Sequence, residues 1–161
     1  MNKQSVIRVA LGIIAVILQA VLFRHLSVLG MHPDFVLLFL LWYMTKGSRT
    51  TAILMAAFLG FMQDALLDLW GLNMFAKTLI AFIAQPWIYE NMKNRREFPR
   101  IITVVFLATL AHNLIFLILS SLSKAYSAEV LFWRHFIGDT IYTTIVAGII
   151  QIIRNQVTDY L

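Results

Sequence analysis

Long apolar runs joined by very short links leave this chain few ways to fold. A run of about 20 apolar residues crosses a hydrocarbon core of ~30 Å as a helix. Lipid cannot hydrogen-bond a peptide group, so backbone polar atoms inside a membrane must be paired within the protein. Of the 161 residues, 60% are hydrophobic and 13% charged, about half the charged share of an ordinary soluble domain. The expected fold is therefore all-α, a polytopic membrane bundle of six transmembrane helices. The segments fall at about 5–23, 33–45, 50–69, 73–89, 101–122 and 133–153. No link is long enough for an extramembrane domain, so residues 1–161 are expected to form a single integral membrane domain.

The first run follows Lys3 and Arg8, as in a secretory signal. It ends in Leu22, Phe23 and Arg24 with no small-x-small cleavage site, so it is expected to remain as a helix. Cysteine is absent, which excludes disulfides, thiolate metal sites and cysteine nucleophiles. No Gly-rich phosphate loop, His-Glu metal motif or nucleophile elbow is present, so neither a cofactor nor an enzymatic activity is expected. The net charge of +5 is not a nucleic-acid signal in such a chain; what matters is where the basic residues lie.

Placing the N-terminus in the cytoplasm puts Lys3, Arg8, Lys46, Arg49, Lys93, Arg95, Arg96, Arg100 and Arg154 inside. Arg24, Lys77, Lys124 and Arg134 then lie toward the other side. That asymmetry satisfies the positive-inside rule with both termini cytoplasmic. Trp42 and Trp87 at inner ends, with Trp70 and Trp133 at outer ends, fit an aromatic belt. The basic loop Lys93 to Arg96 reads as a topology determinant or as an anchor for anionic lipid or a cytoplasmic partner.

The third segment carries a column of residues spaced by four: Ala52, Ala56, Gly60, Asp64 and Asp68. They share one face of a helix. Ala52, Ala56 and Gly60 are small enough for close helix packing, either internal or against a partner. The two carboxylates need a partner, a cavity or water, since a charge in the membrane costs roughly 3 kcal/mol even on a lenient insertion scale.

The second segment opens with Pro33, suited to a first helical turn, and Asp34, which complements the positive end of the helix dipole. A helix from Pro33 to Thr45 is only ~20 Å long, so it would start below the outer surface and the link before it would dip into the bundle. The alternative starts the helix near Val28, with Pro33 as a kink.

Asp64 and Lys77 flank the turn at Leu69 to Asn73 at similar depth. With Asp68, Asp139 and a deep Asp34 they gather ionisable groups in the outer half, with His112 and Asn113 nearer the middle. Gln19, Gln85 and Gln151 are assigned to the inner half. One reading is internal pairing: Asp64 with Lys77, and Asp139 with His112 or a hydroxyl. The other is an outward-opening cleft that holds a ligand or a partner's polar group. His112 reads as a hydrogen-bonded interior histidine, because no carboxylate or second histidine lies four residues away.

Three motifs then carry a resemblance. His32-Pro33-Asp34-Phe35, Gly60-Phe61-Met62-Gln63-Asp64 and Trp70-Gly71-Leu72-Asn73, in that order and spacing, resemble the bacterial rod-shape-determining MreD family. Length and span number are similar too. The resemblance implies a component of the bacterial inner membrane that takes part in cell elongation and lateral peptidoglycan synthesis. It implies an MreC-like bitopic partner, an MreB-like filament, a wall-synthase complex and no catalytic activity. It further implies a fold resembling the S-components of vitamin transporters, whose ligand cavity opens outward. Pro33, Asp34, Gly60, Asp64 and Gly71 are the family-like positions; Asp68, Lys77 and Asp139 rest on the charge argument alone. A scaffold is the function expected, with a small-solute-binding transporter subunit as the alternative.

Overall fold

A ten-residue helix stands at the centre of five longer ones. The computed structural model describes residues 3–22, 29–69, 71–92, 98–123 and 136–159. Among them the helices are α1 (Lys3–Leu22), α2 (Phe35–Met44), α3 (Arg49–Leu67), α4 (Leu72–Met92), α5 (Phe98–Ser123) and α6 (Asp139–Asp159).

The centre is occupied by α2 because its sequence, FVLLFLLWYM, is apolar on every face; such a helix has no side to show to water. It touches all five other helices, and Val36, Leu37, Leu40 and Met44 are completely buried. Around it, α1 packs on α3, α3 on α4, α4 on α5 and α5 on α6. The α3 face is set by its spacing: Ala52, Met55, Ala56, Leu59, Gly60, Gln63 and Asp64 are buried, while Leu54, Phe58, Phe61 and Leu66 point outward.

The six expected helices are present among the described residues, and they differ as candidate spans. Four helical stretches are long and apolar enough to cross a membrane: Lys3–Val21, Arg49–Leu67, Phe98–Leu122 and Phe136–Gln156. At ten residues, α2 is only about 15 Å long, half a hydrocarbon core. By length α4 suffices, with 21 residues, but Asn73, Lys77, Gln85, Glu90 and Asn91 lower its hydropathy. The start near Val28 is also excluded, since residues 29–34 are not helical. Pro33 lies just outside α2, and Asp34 is its N-cap. Trp70, Trp133, Arg24, Lys124, Arg134 and the basic loop Lys93 to Arg96 lie outside the described residues.

Pro86 sits inside α4, and its missing N–H frees the carbonyl four residues earlier. That carbonyl belongs to Phe82, and Arg49 Nη2 donates to it at 2.7 Å. The same guanidinium lies 4.7 Å from the centre of the Phe82 ring. One cation at the start of α3 thus satisfies the break in α4 and stacks on the ring beside it.

Candidate functional site

Polar groups inside the bundle gather where the 29–34 segment meets the ends of α1 and α3 and the starts of α4 and α6. The segment has no helix to pair its backbone, so side chains do that work. Gln19 Nε2 donates to the Pro33 carbonyl at 2.9 Å, and Gln19 Oε1 accepts from Phe35 N–H at 2.8 Å. Asp139 Oδ1 accepts from His32 N–H at 2.7 Å. Thr143 Oγ1 accepts from Asp34 N–H at 3.0 Å. Asp34 Oδ1 caps α2 by accepting from Leu37 N–H at 2.8 Å. Irregular backbone inside a membrane bundle is tolerated only where the protein pairs its polar groups in this way. Gly138 supplies room: a Cβ there would strike the Met31 side chain.

The second carboxylate oxygen of Asp34 carries the charge pairing. Lys77 is completely buried. Its Nζ donates to Asp34 Oδ2 at 2.7 Å and to Asn73 Oδ1 at 3.0 Å, and lies 3.4 Å from His112 Nε2. An ammonium can only donate, so His112 Nε2 accepts and its proton sits on Nδ1. That nitrogen is 3.0 Å from Asn113 Oδ1. Asn113 Nδ2 then donates to Thr140 Oγ1 at 2.9 Å, and Thr140 to the Phe136 carbonyl. The chain of bonds has one direction from Lys77 on α4, through α5, to the start of α6.

Asp64 is therefore not the partner of Lys77. Its two oxygens accept from Asn73 N–H at 3.0 Å and Met74 N–H at 2.8 Å, at the positive end of the α4 dipole. The reason is local. Gly60, one turn earlier, lies against the same stretch: a Cβ on it would come within 2.5 Å of Met74 Cα and 2.9 Å of Asn73 O. The glycine lets the start of α4 approach, and the aspartate four residues on captures its amides. Gly71, at φ +88°, closes the turn in the left-handed region that glycine adopts freely. Gly60, Asp64 and Gly71 are thus three parts of one α3–α4 hairpin.

Two further expectations change, those for Asp68 and Gln19. Asp68 is exposed, in the left-handed region at φ 56°, and ends α3 through its own N–H to the Asp64 carbonyl; it does not line the cavity described below. Ala52 and Ala56 are completely buried, so with Gly60 they form an internal face and leave none for a partner. Gln19, assigned to the inner half, belongs to the polar group around Pro33.

A cavity of about 140 Å³ lies in this group. Asp34 and Asp139 line it, with Gln19, His32, Gln63, Asn73, His112 and Asn113, against Leu67, Leu69 and Phe116. Asp64, Lys77, Pro33 and Gly71 lie outside its lining. Gln19, Gln63, Thr140 and Thr143 were not singled out as site residues. A polar side chain within an apolar run was the signal each offered.

No group of three or more metal-ligating side chains forms among the described residues. The apolar helices and buried polar interior define a multi-pass helical membrane protein. Residues 2–156 match the family model described as "MreD: rod shape-determining protein MreD". The chain belongs to the MreD family, and its class is that of rod-shape-determining membrane proteins. Searches of curated proteins and of solved structures give no match.

Proposed function

We propose that this chain is a non-enzymatic scaffold of the cell-elongation machinery in the bacterial inner membrane, with both termini cytoplasmic. On this reading it forms one integral membrane domain. It binds an MreC-like bitopic protein and helps to organise lateral peptidoglycan synthesis with a wall-synthase complex and an MreB-like filament. Family membership over residues 2–156 is the observation that carries the reading. The disposition of polar groups supports it: Asp34, Asp64 and Lys77 are each bonded in ways that fix the starts of α2 and α4.

The surface left for a partner is apolar. On α1, Ile7, Leu11, Ile14, Ile17, Leu18 and Val21 are exposed, and on α6 Ile141, Ile145, Ile149 and Ile152. A single-span protein would meet these faces within the lipid, while basic residues at the opposite end would meet cytoplasmic components. The test is depletion in a rod-shaped bacterium, with affinity capture of the tagged chain. Rounded cells and recovery of a bitopic partner are expected. Cells that keep their shape but fail to take up a particular solute would overturn the scaffold.

A further inference from the structure

Two amide nitrogens in the cavity wall have nothing to donate to. Asn73 is only 4% exposed, and its Oδ1 accepts from Lys77 Nζ at 3.0 Å. An ammonium can only donate, so that bond fixes which end of the amide is nitrogen. Its Nδ2 makes no hydrogen bond among the described residues, and protein does not wall it off. Gln63, also 4% exposed, is turned the same way: its Oε1 is enclosed, and its Nε2 is open and unpaired. Both residues line the cavity. They are neighbours across the α3–α4 hairpin, because Asp64, next to Gln63, accepts from Asn73 N–H. Leu67, Leu69 and Phe116 form the apolar side of the same space.

We propose that this cavity binds an uncharged carbonyl oxygen, which accepts from Gln63 Nε2 and Asn73 Nδ2 while the carbons beside it rest on Leu67, Leu69 and Phe116. A carbonyl oxygen carries two lone pairs, enough for one N–H from each amide. An anion finds no counter-charge there. No Lys or Arg is among the described residues that line the cavity. Lys77 has no exposed surface and turns its donors to Asp34, Asn73 and His112. Gln63 and Leu67 lie in the last two turns of α3, a helix long and apolar enough to span. The cavity is thus near one membrane face, at the level of the ester carbonyls of a glycerolipid. Its volume of about 140 Å³ has room for an ester or amide group. The same chemistry is offered by a glycerolipid ester and by a small free ester or amide. The inference does not rest on the scaffold reading and is tested on the isolated chain, so either can fail alone.

The experiment is native mass spectrometry and thermal unfolding of the purified full chain, delipidated and then given a diester glycerolipid or its diether analogue. The two share headgroup and chain length, and the analogue lacks only the carbonyls. The diester should stay bound and raise the unfolding midpoint, and the diether should not. N-methylacetamide is the soluble probe. A response to it with no preference between the lipids would assign the site to a small soluble carbonyl compound. Gln63→Met removes one donor together with the enclosed oxygen, so the fold should be kept while affinity falls roughly tenfold. Asn73→Asp keeps an acceptor for Lys77 and loses the donor. It should lower affinity by a similar factor, and it decides the matter if the first variant does not fold. Equal retention of the two lipids without a response to N-methylacetamide, or unchanged binding in both variants, would overturn the proposal. So would density in the cavity that shows only water.

Discussion

Lys77 Nζ lies 2.7 Å from Asp34 Oδ2, which ties the start of the central helix to the first turns of α4 across 43 positions of sequence. The pair is embedded: Lys77 has no exposed side-chain surface and Asp34 keeps 14% of its own. It ties together two elements that are weak spans by themselves, the ten-residue α2 and the polar α4. The charges thus contribute to how the bundle is assembled.

Lys77→Met should destabilise the protein by about 3–5 kcal/mol, because it strands the Asp34 carboxylate in a low-dielectric interior. Asp34→Asn keeps an oxygen for Leu37 N–H, and combined with Lys77→Met it should recover part of the loss. Asp64→Asn combined with Lys77→Met should come close to additive, since Asp64 bonds backbone amides and not the ammonium. Unfolding midpoints in detergent for the two double-mutant cycles decide the matter. A large coupling energy for Asp64 with none for Asp34 would contradict the pairing.

Gly60→Ala should cost about 1–3 kcal/mol, since even one methyl would need the α4 backbone to move. Gly148→Ala is the control. Its new carbon would meet Ile102 Cδ1 at an ordinary 3.5 Å, and stability should be nearly unchanged. Equal stability of the two variants would contradict a close α3–α4 crossing at Gly60.

Asp64→Ala should lose about 2–3 kcal/mol, because two amides at the start of α4 lose a charged acceptor. Asp64→Asn should fall between, with one oxygen left to serve both. Asp68→Asn should have little effect, because the bond at that position comes from the backbone N–H and Asn accepts the left-handed conformation. Amide hydrogen exchange at Asn73 and Met74 reports the loss directly; protection that survives Asp64→Ala would exclude the cap.

The fold class was legible because hydrophobic run length depends on local sequence alone, and so was the inward face of α3, which follows from spacing by four. The start and short length of α2 were legible from Pro33, Asp34 and Lys46. What could not be read was the partner of each charge. Asp64 and Lys77 flank a tight turn and look matched by depth. The choice was decided by Gly60, whose missing side chain brings the α4 amides to Asp64 and leaves Lys77 for Asp34. Contacts such as His32 with Asp139 and Asp34 with Thr143 span 107 and 109 positions. They depend on which helices become neighbours, and no local period encodes that.

The orientation in the membrane yields the last prediction, and α3 makes it sharp. Arg49–Leu67 is one of the apolar spans, with Ser48 at one end and Asp68 at the other, both exposed. The two positions are therefore expected on opposite sides. The chain contains no cysteine, so a single introduced thiol gives an unambiguous signal. Lys46 and Arg49 adjoin Ser48, and Arg154 lies near Gln156, so positive-inside bias predicts a cytoplasmic place for both. Asp68→Cys should react with an impermeant maleimide added to spheroplasts. Ser48→Cys and Gln156→Cys should react only after permeabilisation. Labelling of Ser48→Cys alone would invert the bundle, and labelling of both 48 and 68 from outside would remove α3 as a span.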